Sequence, residues 1–499
     1  MESAAERYET LPKDGLISII VEQEREIEKL RQHLVNAQKE RFGSKSEKLP
    51  IDNQPSLFSL EELVEPSVQE ELPTVDVPAH TRTKRKRREI PKGTEVVTIN
   101  HPPSQTTCDC CGNELEKLRD DVTKILNYIP ASFKLEEHHR PVMVCNHCKG
   151  SSPKNTPLPA GIQLIPRSPA GVGLLSHILI SKYQDHLPLH RLEAMFARFG
   201  YELPRTRMCD WLGDLAETAH PLHKAAKQEL LPSHYLQADE TTVKIQDGAE
   251  PGKCHTGYFW GILAPPPLNL VYFHYAPSRA GEVPKAILSD FKGVLQTDAY
   301  AGYNQVYVPE QTIRAGCWAH VRRKFIGIQK LSGKDVQITL ELIAKLYRAE
   351  SKSSEPEAIL NARTKHSARI LEKLHQHLSA WSARTLPNSE VQKAIQYALS
   401  QWEALMLFLT NPAIQLDNNL IENQMRPIAL GRKNWMFAGS HEGAMRAAIF
   451  YTLINSCRLN KVNTWQYFNN VLPRLVKASP NEISQLLPHR WKPSVKGVA

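Results

Sequence analysis

Three acidic residues, Asp239, Asp298 and Glu422, stand where carboxylates could hold divalent cations. Asp239 lies in the middle of a predicted β-strand, where aspartate is a poor strand former and an unpaired carboxylate destabilises the fold. Asp298 directly follows a second apolar strand. Two neighbouring carboxylates repel each other and become stable together when they share a cation, for which Mg²⁺ is the natural choice. Each aspartate alone suits a strand-end cap or a turn residue, but the two together favour a metal site.

The elements that must position these carboxylates follow a definite order. The predicted elements come in the order strand, strand, strand, helix, strand, helix, strand. This order matches the start of a ribonuclease-H-like fold, in which the two aspartates would be neighbours. The stretch 320–410 is largely helical and too long for a simple connection, so we interpret it as an inserted helical subdomain. The segments predicted from the pattern are strands at 235–245, 257–263, 269–275, 293–297 and 312–317 and a short helix at 283–291.

Glu422 falls near the start of a later predicted helix. Asn418 or Asn419 can cap that helix, which places Glu422 in its first turns. Pro427 is expected to end or kink the helix. Arg426 lies one turn after Glu422, on the same helix face. If the carboxylates hold cations at a phosphate group, we expect Arg426 to reach the region of that phosphate.

A basic and aromatic cluster follows the proline. We expect Arg432 and Lys433 to lie on a turn that aims both outward, where cations of this kind bind phosphate groups. Trp435 is flat and apolar, so it can stack on an unpaired base. The alternative is that Trp435 is core and the cations form a solvated face. The position next to the carboxylate helix favours DNA binding.

Four of the nine cysteines form two tight pairs, Cys108-x-x-Cys111 and Cys145-x-x-Cys148. Four thiolates satisfy a tetrahedral structural zinc, which has no open position for catalysis. The alternative is that these are ordinary reduced thiols. The gap between the pairs is longer than in a short zinc ribbon, and the nearby candidate substitute ligands are Cys110, His138, His139 and His147.

The N-terminal part predicts a helix followed by a tether. In 14–41, Ile20, Ile27 and Leu34 fall seven apart, which favours a short self-associating coiled coil over a helix docked on its own protein. The segment 44–105 is too polar to fold alone. Its basic run either lies along phosphates or is a solvated tether; the run is Lys84, Arg85, Lys86, Arg87 and Arg88.

Residues 168–229 predict three helical runs. A helix, a glycine-containing turn and a helix are compatible with a helix-turn-helix, although plain helical packing explains the pattern equally well. The predicted domains are a coiled-coil helix at 1–43, a flexible linker at 44–105, a zinc-binding domain at 106–160, a helical DNA-binding region at 161–230, a catalytic domain at 231–455 and a C-terminal helical tail at 456–499.

The length and net charge of the chain do not decide its functional class, whereas its hydropathy argues against a membrane-spanning protein. The chain has 499 residues, enough for several domains, and its net charge of +9 favours a polyanionic partner only mildly. No stretch is apolar for long enough to span a bilayer. The N-terminus lacks the basic and apolar regions of a signal peptide. We therefore expect a soluble, cytoplasmic protein.

Several long stretches of the chain resemble a known family, the insertion-sequence 66 family of bacterial DDE transposases. The resemblance extends over nearly the whole chain and is strongest from Asp417 to Gly443. The other resembling stretches are 41–48, 181–191, 296–303, 317–325 and 486–493.

This resemblance implies a function and a set of roles. It implies that Asp239, Asp298 and Glu422 are the catalytic triad and that a zinc-binding region precedes the catalytic domain. It also implies DNA as partner, both element ends and target, a nucleoid-associated location, self-association and small accessory proteins from the same element. Cys317-x-x-His320 resembles an element seen after the second aspartate in several DDE groups, and we interpret it as structural support for the site.

The mechanism that we expect uses two Mg²⁺ (or Mn²⁺) ions about 3.5–4 Å apart, flanking the scissile phosphate. One activates water or a 3′-hydroxyl and the other stabilises the leaving oxygen, so that the strand is first nicked and then joined to target DNA. Glu240 would face the opposite side of its strand, and Asp417 precedes the helix, so we assign neither to the triad. Two alternatives remain: a ribonuclease-H-like nuclease without strand transfer, and a non-catalytic zinc-containing DNA-binding protein.

Overall fold

The computed structural model describes residues 157–247, 252–329, 333–350 and 355–493, together with short pieces before residue 157. Those pieces are residues 22, 74–77, 80–83, 98, 110, 132–140, 142–143 and 154–155. The chain divides into two units, 1–131 and 132–499. The predicted coiled coil at 14–41 and the basic run Lys84–Arg88 lie outside the described residues, apart from residue 22.

The first unit contains a short β-hairpin within the segment that the sequence predicts to be a linker. Strand β1 (Thr74–Val77) pairs antiparallel with β2 (His80–Thr83). Eight residues of the predicted linker are therefore extended and paired, and threonine and valine favour that backbone. The linker itself stays a prediction. In the second unit, β3 (Val142–Met143) pairs with β4 (Lys154–Asn155) inside the predicted zinc-binding segment.

The second unit is a five-stranded mixed sheet surrounded by helices. In its described part the helices are α1 (Val172–Tyr183), α2 (Leu189–Arg198), α3 (Arg205–Leu230), α4 (Glu282–Ile287), α5 (Trp318–Gly327), α6 (Gly333–Ala349), α7 (Pro356–Ala362), α8 (Ala368–Arg384), α9 (Glu390–Leu399), α10 (Trp402–Met406), α11 (Asn419–Trp435), α12 (His441–Leu459), α13 (Thr464–Leu475) and α14 (Pro480–Ile483).

The strands lie in the order β7-β6-β5-β8-β9. The first three form an antiparallel meander, whereas β8 runs parallel to β5 and β9 runs parallel to β8. All five strands expected from the sequence are confirmed within two residues at each end. They are β5 (Tyr235–Ile245), β6 (His255–Ala264), β7 (Leu270–Ala276), β8 (Gly293–Gln296) and β9 (Thr312–Ala315).

Strand burial follows from what covers each strand. Near the end of β5, buried Val243 and Ile245 alternate with exposed neighbours, as in a strand with one solvated face. Strand β6 is buried almost continuously because it lies between two strands and has helix α11 on one face. Gly261 permits that approach, since a side chain there would collide with Met425 and Ile421 of α11.

Strand β7 lies at one margin of the sheet, beside α3 and α12. The Thr452 hydroxyl of α12 accepts a hydrogen bond from the Phe273 amide at 2.9 Å, and the Ser456 hydroxyl accepts one from the Val271 amide at 3.2 Å. The His223 ring of α3 bonds the Phe273 carbonyl at 2.8 Å. Side chains of two helices therefore take the place of a further strand.

The second unit contains two hydrophobic cores. One lies in the predicted insertion, where helices α5, α6, α8, α9 and α10 pack on one another and on β8 and β9. The other joins residues from 164 to 306 with residues from 421 to 491. Helix α12 spans the predicted boundary between 455 and 456 and packs on the sheet, α1 and α3. The helices of 161–230 share this core with the sheet instead of forming a core of their own.

Among the described helices, none is both long and apolar enough to cross a membrane.

Candidate active site

Asp239 and Asp298 lie on neighbouring parallel strands. Strands β5 and β8 pair Gln237 with Gln296. Continuing that register by two residues, which preserves the face of the strand, brings Asp239 beside Asp298. Both residues are half-buried. One oxygen of Asp298 accepts a hydrogen bond from the Tyr300 amide at 2.9 Å, which fixes the turn after β8.

Glu422 lies in the first turn of α11, which packs over β5 and β6. The Arg323 guanidinium of α5 donates to both Glu422 carboxylate oxygens, at 3.1 Å and 2.8 Å. The His320 Nε2 atom is 3.6 Å from one of those oxygens. Helix α5 therefore orients the Glu422 carboxylate from the side.

Burial and neighbouring charges affect the protonation of Asp239 and Glu422. Burial raises the pKa of Asp239 well above its usual range, and the charges of Glu240, Glu422 and Asp298 raise it further. Burial also raises the pKa of Glu422, against the opposing effect of Arg323. Such a cluster holds more negative charge than its protein surroundings compensate, so a divalent cation would stabilise its ionised form.

The side chains at this point fit an oxygen-ligated cation. The three carboxylates offer only oxygen donors, which suit Mg²⁺ or Mn²⁺. On the same turn as Glu422, three asparagines also have buried side-chain oxygens without a hydrogen-bond partner among the described residues; they are Asn418, Asn419 and Asn423. The residues present are therefore compatible with the metal ions that the sequence led us to expect.

Cys317 and His320 lie close to Glu422. One ligand atom from each of the three residues lies within 4.8 Å of the others. Cys317 precedes α5 and is only 2% exposed, and burial raises the pKa of its thiol. The structural role expected for the pair stays a prediction.

The two acidic residues that we left out of the triad have other partners. Glu240 is paired with Arg279, and the Tyr303 hydroxyl donates to it at 2.8 Å. Asp417 accepts from the Asn419 amide at 3.1 Å and from the Tyr347 hydroxyl at 2.7 Å. Asn418 is at the N-cap position, as expected, but its side chain makes no capping hydrogen bond; the side chain that accepts from the first free amide of α11 is that of Asp417.

A buried glutamine network beneath the aspartates escaped the sequence analysis. The Gln237 amide donates to the Asp417 carbonyl at 3.0 Å, and its oxygen accepts from the Ile421 amide at 3.2 Å. Gln296 donates to the carbonyls of Gly316 and Gln415, each at 2.8 Å. The repeated Gln-x-Asp spacing on β5 and β8 is the only signal in the sequence that could have indicated this support.

The basic cluster differs from the expectation in one respect. Helix α11 continues through Pro427 to Trp435, so Arg432 and Lys433 belong to the helix and not to a turn after it. Packing of the buried proline outweighs the loss of one backbone hydrogen bond, and Asn455 donates to the nearby Gln424 carbonyl at 2.9 Å.

The cations and the tryptophan of this cluster have different surroundings. Arg432 is half-buried and bonds the carbonyl and hydroxyl of Thr242, whereas Lys433 is exposed. Arg426 is half-buried one turn after Glu422. Trp435 packs partly against the main core, which leaves Lys433 as the exposed residue of the cluster.

The predicted zinc ligands lie outside the described residues; they are Cys108, Cys111, Cys145 and Cys148. The same holds for His147. Cys110, His138 and His139 are exposed, and His139 lies 3.4 Å from Glu137.

Family models match most of the chain. Residues 167–446 match the model described as Transposase IS66 family, and residues 105–149 match the zinc-finger binding domain of transposase IS66. Residues 452–489 match the IS66 C-terminal element, and residues 29–99 match a model described as Transposase C of IS166 homeodomain.

Similar proteins are found in Sinorhizobium fredii. The uncharacterized protein y4hP is 33% identical over 95% of this chain and 89% of its own length. The uncharacterized protein y4qI is 29% identical over 92% of this chain and 88% of its own. Among solved structures, the Drosophila P element transposase strand transfer complex covers 57% of this chain and 92% of its own at 10% identity. Its TM-score of 0.29 is too low to carry an argument.

The match at 167–446 covers more than half of the chain. The zinc-finger and C-terminal matches on either side of it are to models of the same family. The relative y4hP is similar over nearly all of both chains. The chain belongs to the Transposase IS66 family.

Proposed function

We propose that this transposase cuts DNA at the ends of an insertion sequence and joins the 3′ ends to target DNA, using Asp239, Asp298 and Glu422. The observation that carries the proposal is the pairing of β5 with β8, which brings two aspartates together under the helix that holds a glutamate. The strand order, with three antiparallel strands followed by two parallel ones, supports a ribonuclease-H-like catalytic core.

In this proposal the three carboxylates hold two Mg²⁺ or Mn²⁺ ions. When bound, the ions supply an activated attacking oxygen and a stabilised leaving oxygen for phosphoryl transfer. Asp239 and Asp298 contribute oxygens from the sheet, and Glu422 contributes oxygens from α11. Arg323 and His320 keep Glu422 aimed at the aspartates, and the glutamine network fixes the start of α11 against both strands.

The rest of the chain has proposed roles in binding. Lys433 and Arg426 contact DNA phosphates next to the cut, and the helical region 161–230 contributes to binding of the element end. Cys108, Cys111, Cys145 and Cys148 hold a structural zinc ion within the matched zinc-finger segment. The basic run 84–88 lies along phosphates, and residues 1–43 bring copies of the chain together. Small accessory proteins encoded by the same insertion sequence assist transposition.

Purified protein incubated with its own element ends, Mg²⁺ and a plasmid target tests the proposal. We expect nicked ends and covalently joined products. Asp239→Asn, Asp298→Asn and Glu422→Gln should each lower cleavage at least about a thousandfold, which is about 4 kcal/mol of transition-state stabilisation. All three should bind end DNA as the unchanged protein does.

Asp290→Asn is the matched control, because Asp290 is an exposed aspartate eight residues before Asp298. It should cleave normally. Near-normal cleavage by any triad variant would remove that residue from the site. Cleavage without joined products would favour the nuclease alternative, and binding without metal-dependent nicking would favour a non-catalytic DNA-binding protein.

A further inference from the structure

The segment between α11 and α12 begins with an unusual turn. Met436 has φ 62° and ψ −48°, and the Phe437 amide donates to the Trp435 carbonyl at 2.7 Å. A hydrogen bond between residues two apart, with positive φ at the centre, defines the rare and strained form of the γ-turn. A long side chain such as methionine disfavours this backbone, so the surrounding structure must impose it.

Both ends of the turn are anchored. On one side Trp435 ends α11 and packs on the main core. On the other, Ala438 exchanges two backbone hydrogen bonds with β5: its amide donates to Lys244 at 2.8 Å, and its carbonyl accepts from Gln246 at 2.9 Å. The turn is therefore fixed between the helix that carries Glu422 and the strand that carries Asp239.

The start of α12 adds a third anchor. His441 lies between the Tyr275 hydroxyl, 2.6 Å from its Nδ1, and Asp247, 3.4 Å from its Nε2. Ser440 caps the helix by accepting from the Gly443 amide at 3.0 Å. These contacts hold the segment after the turn in place.

This anchoring presents two large apolar side chains to solvent. Met436 is 69% exposed and Phe437 is 39% exposed. Exposed Lys433 precedes them on the last turn of α11. Methionine and phenylalanine are among the side chains that proteins insert between DNA base steps, and a nearby cation holds the adjoining phosphate.

We propose that Met436 and Phe437 form an apolar wedge, which enters between stacked bases of the bound DNA end and opens the duplex near the cut. The proposal rests on the proposed function. The anchors at Trp435, Ala438 and His441 hold the strained turn, and with it the exposed Met436 side chain, in place. Trp435, which packs partly against the main core, supports the wedge instead of stacking on a base itself.

The distance from wedge to carboxylates fixes where the duplex opens. From Asp239 to Ile245, beside the anchored Ala438, is six strand residues, or about 20 Å. From Glu422 to Trp435 is thirteen helix residues, also about 20 Å. At about 3.4 Å per base, that distance corresponds to about six base pairs.

Fluorescence of 2-aminopurine, which rises when the base is unstacked, tests the wedge. The probe is placed at each of the ten positions on either side of the cut, and full-length Asp298→Asn protein keeps the DNA intact. We expect the largest rise about five to seven base pairs from the cut. Adding Met436→Ala or Phe437→Ala should remove most of it. Adding Met445→Ala should leave the rise unchanged, because Met445 is a 49% exposed methionine that lies on α12, outside the wedge.

Cleavage by protein with an intact triad gives an independent readout. Met436→Ala should cleave fully paired ends about tenfold more slowly, because the inserted side chain no longer offsets the cost of unstacking a base step. Unpaired bases placed at the proposed opening should restore the rate. Met436→Gly should unfold at a higher temperature than Met436→Ala, because glycine tolerates the positive φ, yet it should show the same cleavage defect.

Unchanged fluorescence and cleavage in both wedge variants, with normal DNA binding, would overturn the wedge and leave the proposed function standing. Reduced self-association in light scattering, with unchanged fluorescence, would assign the exposed pair to contact with a second copy of the chain and would also overturn it. If the triad variants cleave normally while the fluorescence rise depends on Met436, the proposed function fails and the wedge stands.

Discussion

Glu422 depends on α5 for its orientation. Arg323 donates to both of its oxygens, and His320 lies beside them. Residues that orient a metal-binding carboxylate typically change metal affinity or activity about tenfold to a hundredfold when replaced. Arg323 lies 99 residues before Glu422 in the chain, so this contact could not be predicted from the spacing of the motifs.

Replacing Arg323 with glutamine should therefore raise the Mg²⁺ concentration needed for half-maximal cleavage by about tenfold to a hundredfold. End-DNA binding without metal should change little. Arg322→Gln is the matched control, because Arg322 is exposed on the same helix. A titration of cleavage against Mg²⁺ measures the effect, and an identical Mg²⁺ dependence in both variants would contradict the assigned role.

His223 should make stability depend on pH. Burial lowers its pKa from 6.5 to about 4, against the raising effect of its bond to the Phe273 carbonyl. Between pH 6.5 and 4 the unfolded chain binds a proton that the folded chain does not bind. The free energy of unfolding therefore falls as the pH drops through that window, by about 3 kcal/mol in full.

His223→Gln should remove that contribution and flatten the profile of denaturant unfolding between pH 6.5 and 4. His190→Gln, a change at an exposed histidine, should leave the slope unchanged. Equal slopes for the unchanged protein and His223→Gln would show that His223 does not contribute as its surroundings indicate.

At the scale of elements, the start of α11 is held by the helical insertion. Asp417 accepts from the Asn419 amide of α11 and from the Tyr347 hydroxyl of α6. A helix-capping bond is worth about 1 kcal/mol and a side-chain hydrogen bond about the same. Asp417 thus connects the insertion, with its own core, to the helix that carries Glu422.

A double-mutant cycle measures this connection. Asp417→Ala should lower the free energy of unfolding by about 2 kcal/mol and Tyr347→Phe by about 1 kcal/mol. The double variant should lose about 1 kcal/mol less than the two single losses together, since one bond is removed by both changes. Full additivity would mean that the Tyr347 bond contributes nothing to stability.

The sequence predicts an element well when neighbouring residues determine its bounds, and poorly when contacts with distant residues determine them. The bounds of β5 depend on the local residue pattern at 235–245, and the predicted strand agrees with the structure. The course of α11 through Pro427 is not local, because packing of a buried proline outweighs its low helix propensity.

Some residues of the candidate site could likewise be recognised in the sequence, and others could not. Asp239 and Asp298 were recognisable because an acidic residue in or after an apolar strand is unusual. Gln237 and Gln296 were not, because their partners at Gln415 and Ile421 become neighbours only once β5 and β8 pair. The strained turn at Met436 carries no glycine or asparagine, so residue type gave no indication of its positive φ.

At the scale of the whole molecule, two proposals concern segments outside the described residues. The first is self-association through the stripe in 1–43. Deleting 1–43, or replacing Ile27 with glutamine in the full chain, should lower the mass measured by light scattering. Arg25→Gln, at the heptad position farthest from the stripe of Ile20 and Ile27, is the control. An unchanged mass in the deletion variant would refute the coiled coil as the contact.

The second concerns the zinc ion. Freshly purified protein should contain one Zn²⁺ per chain by elemental analysis. Cys108→Ser or Cys145→Ser should lower that content severalfold, since a tetrahedral site loses a ligand. Cys254→Ser is the matched control, because Cys254 is exposed and free. Protein without zinc, or zinc retained in both ligand variants, would contradict the assignment.

The bonds that α3 and α12 make to β7 bear on how copies of this protein behave when crowded. Open amides and carbonyls along an outer strand are a template on which another chain can add, which leads to aggregation. On β7, Thr452, Ser456 and His223 already occupy such groups. The opposite strand, β9, is four residues long, and the next amide, of Gly316, bonds Ala404 of α10. These contacts leave fewer open backbone groups at the two margins of the described sheet, which disfavours the addition of a strand from another copy of the chain.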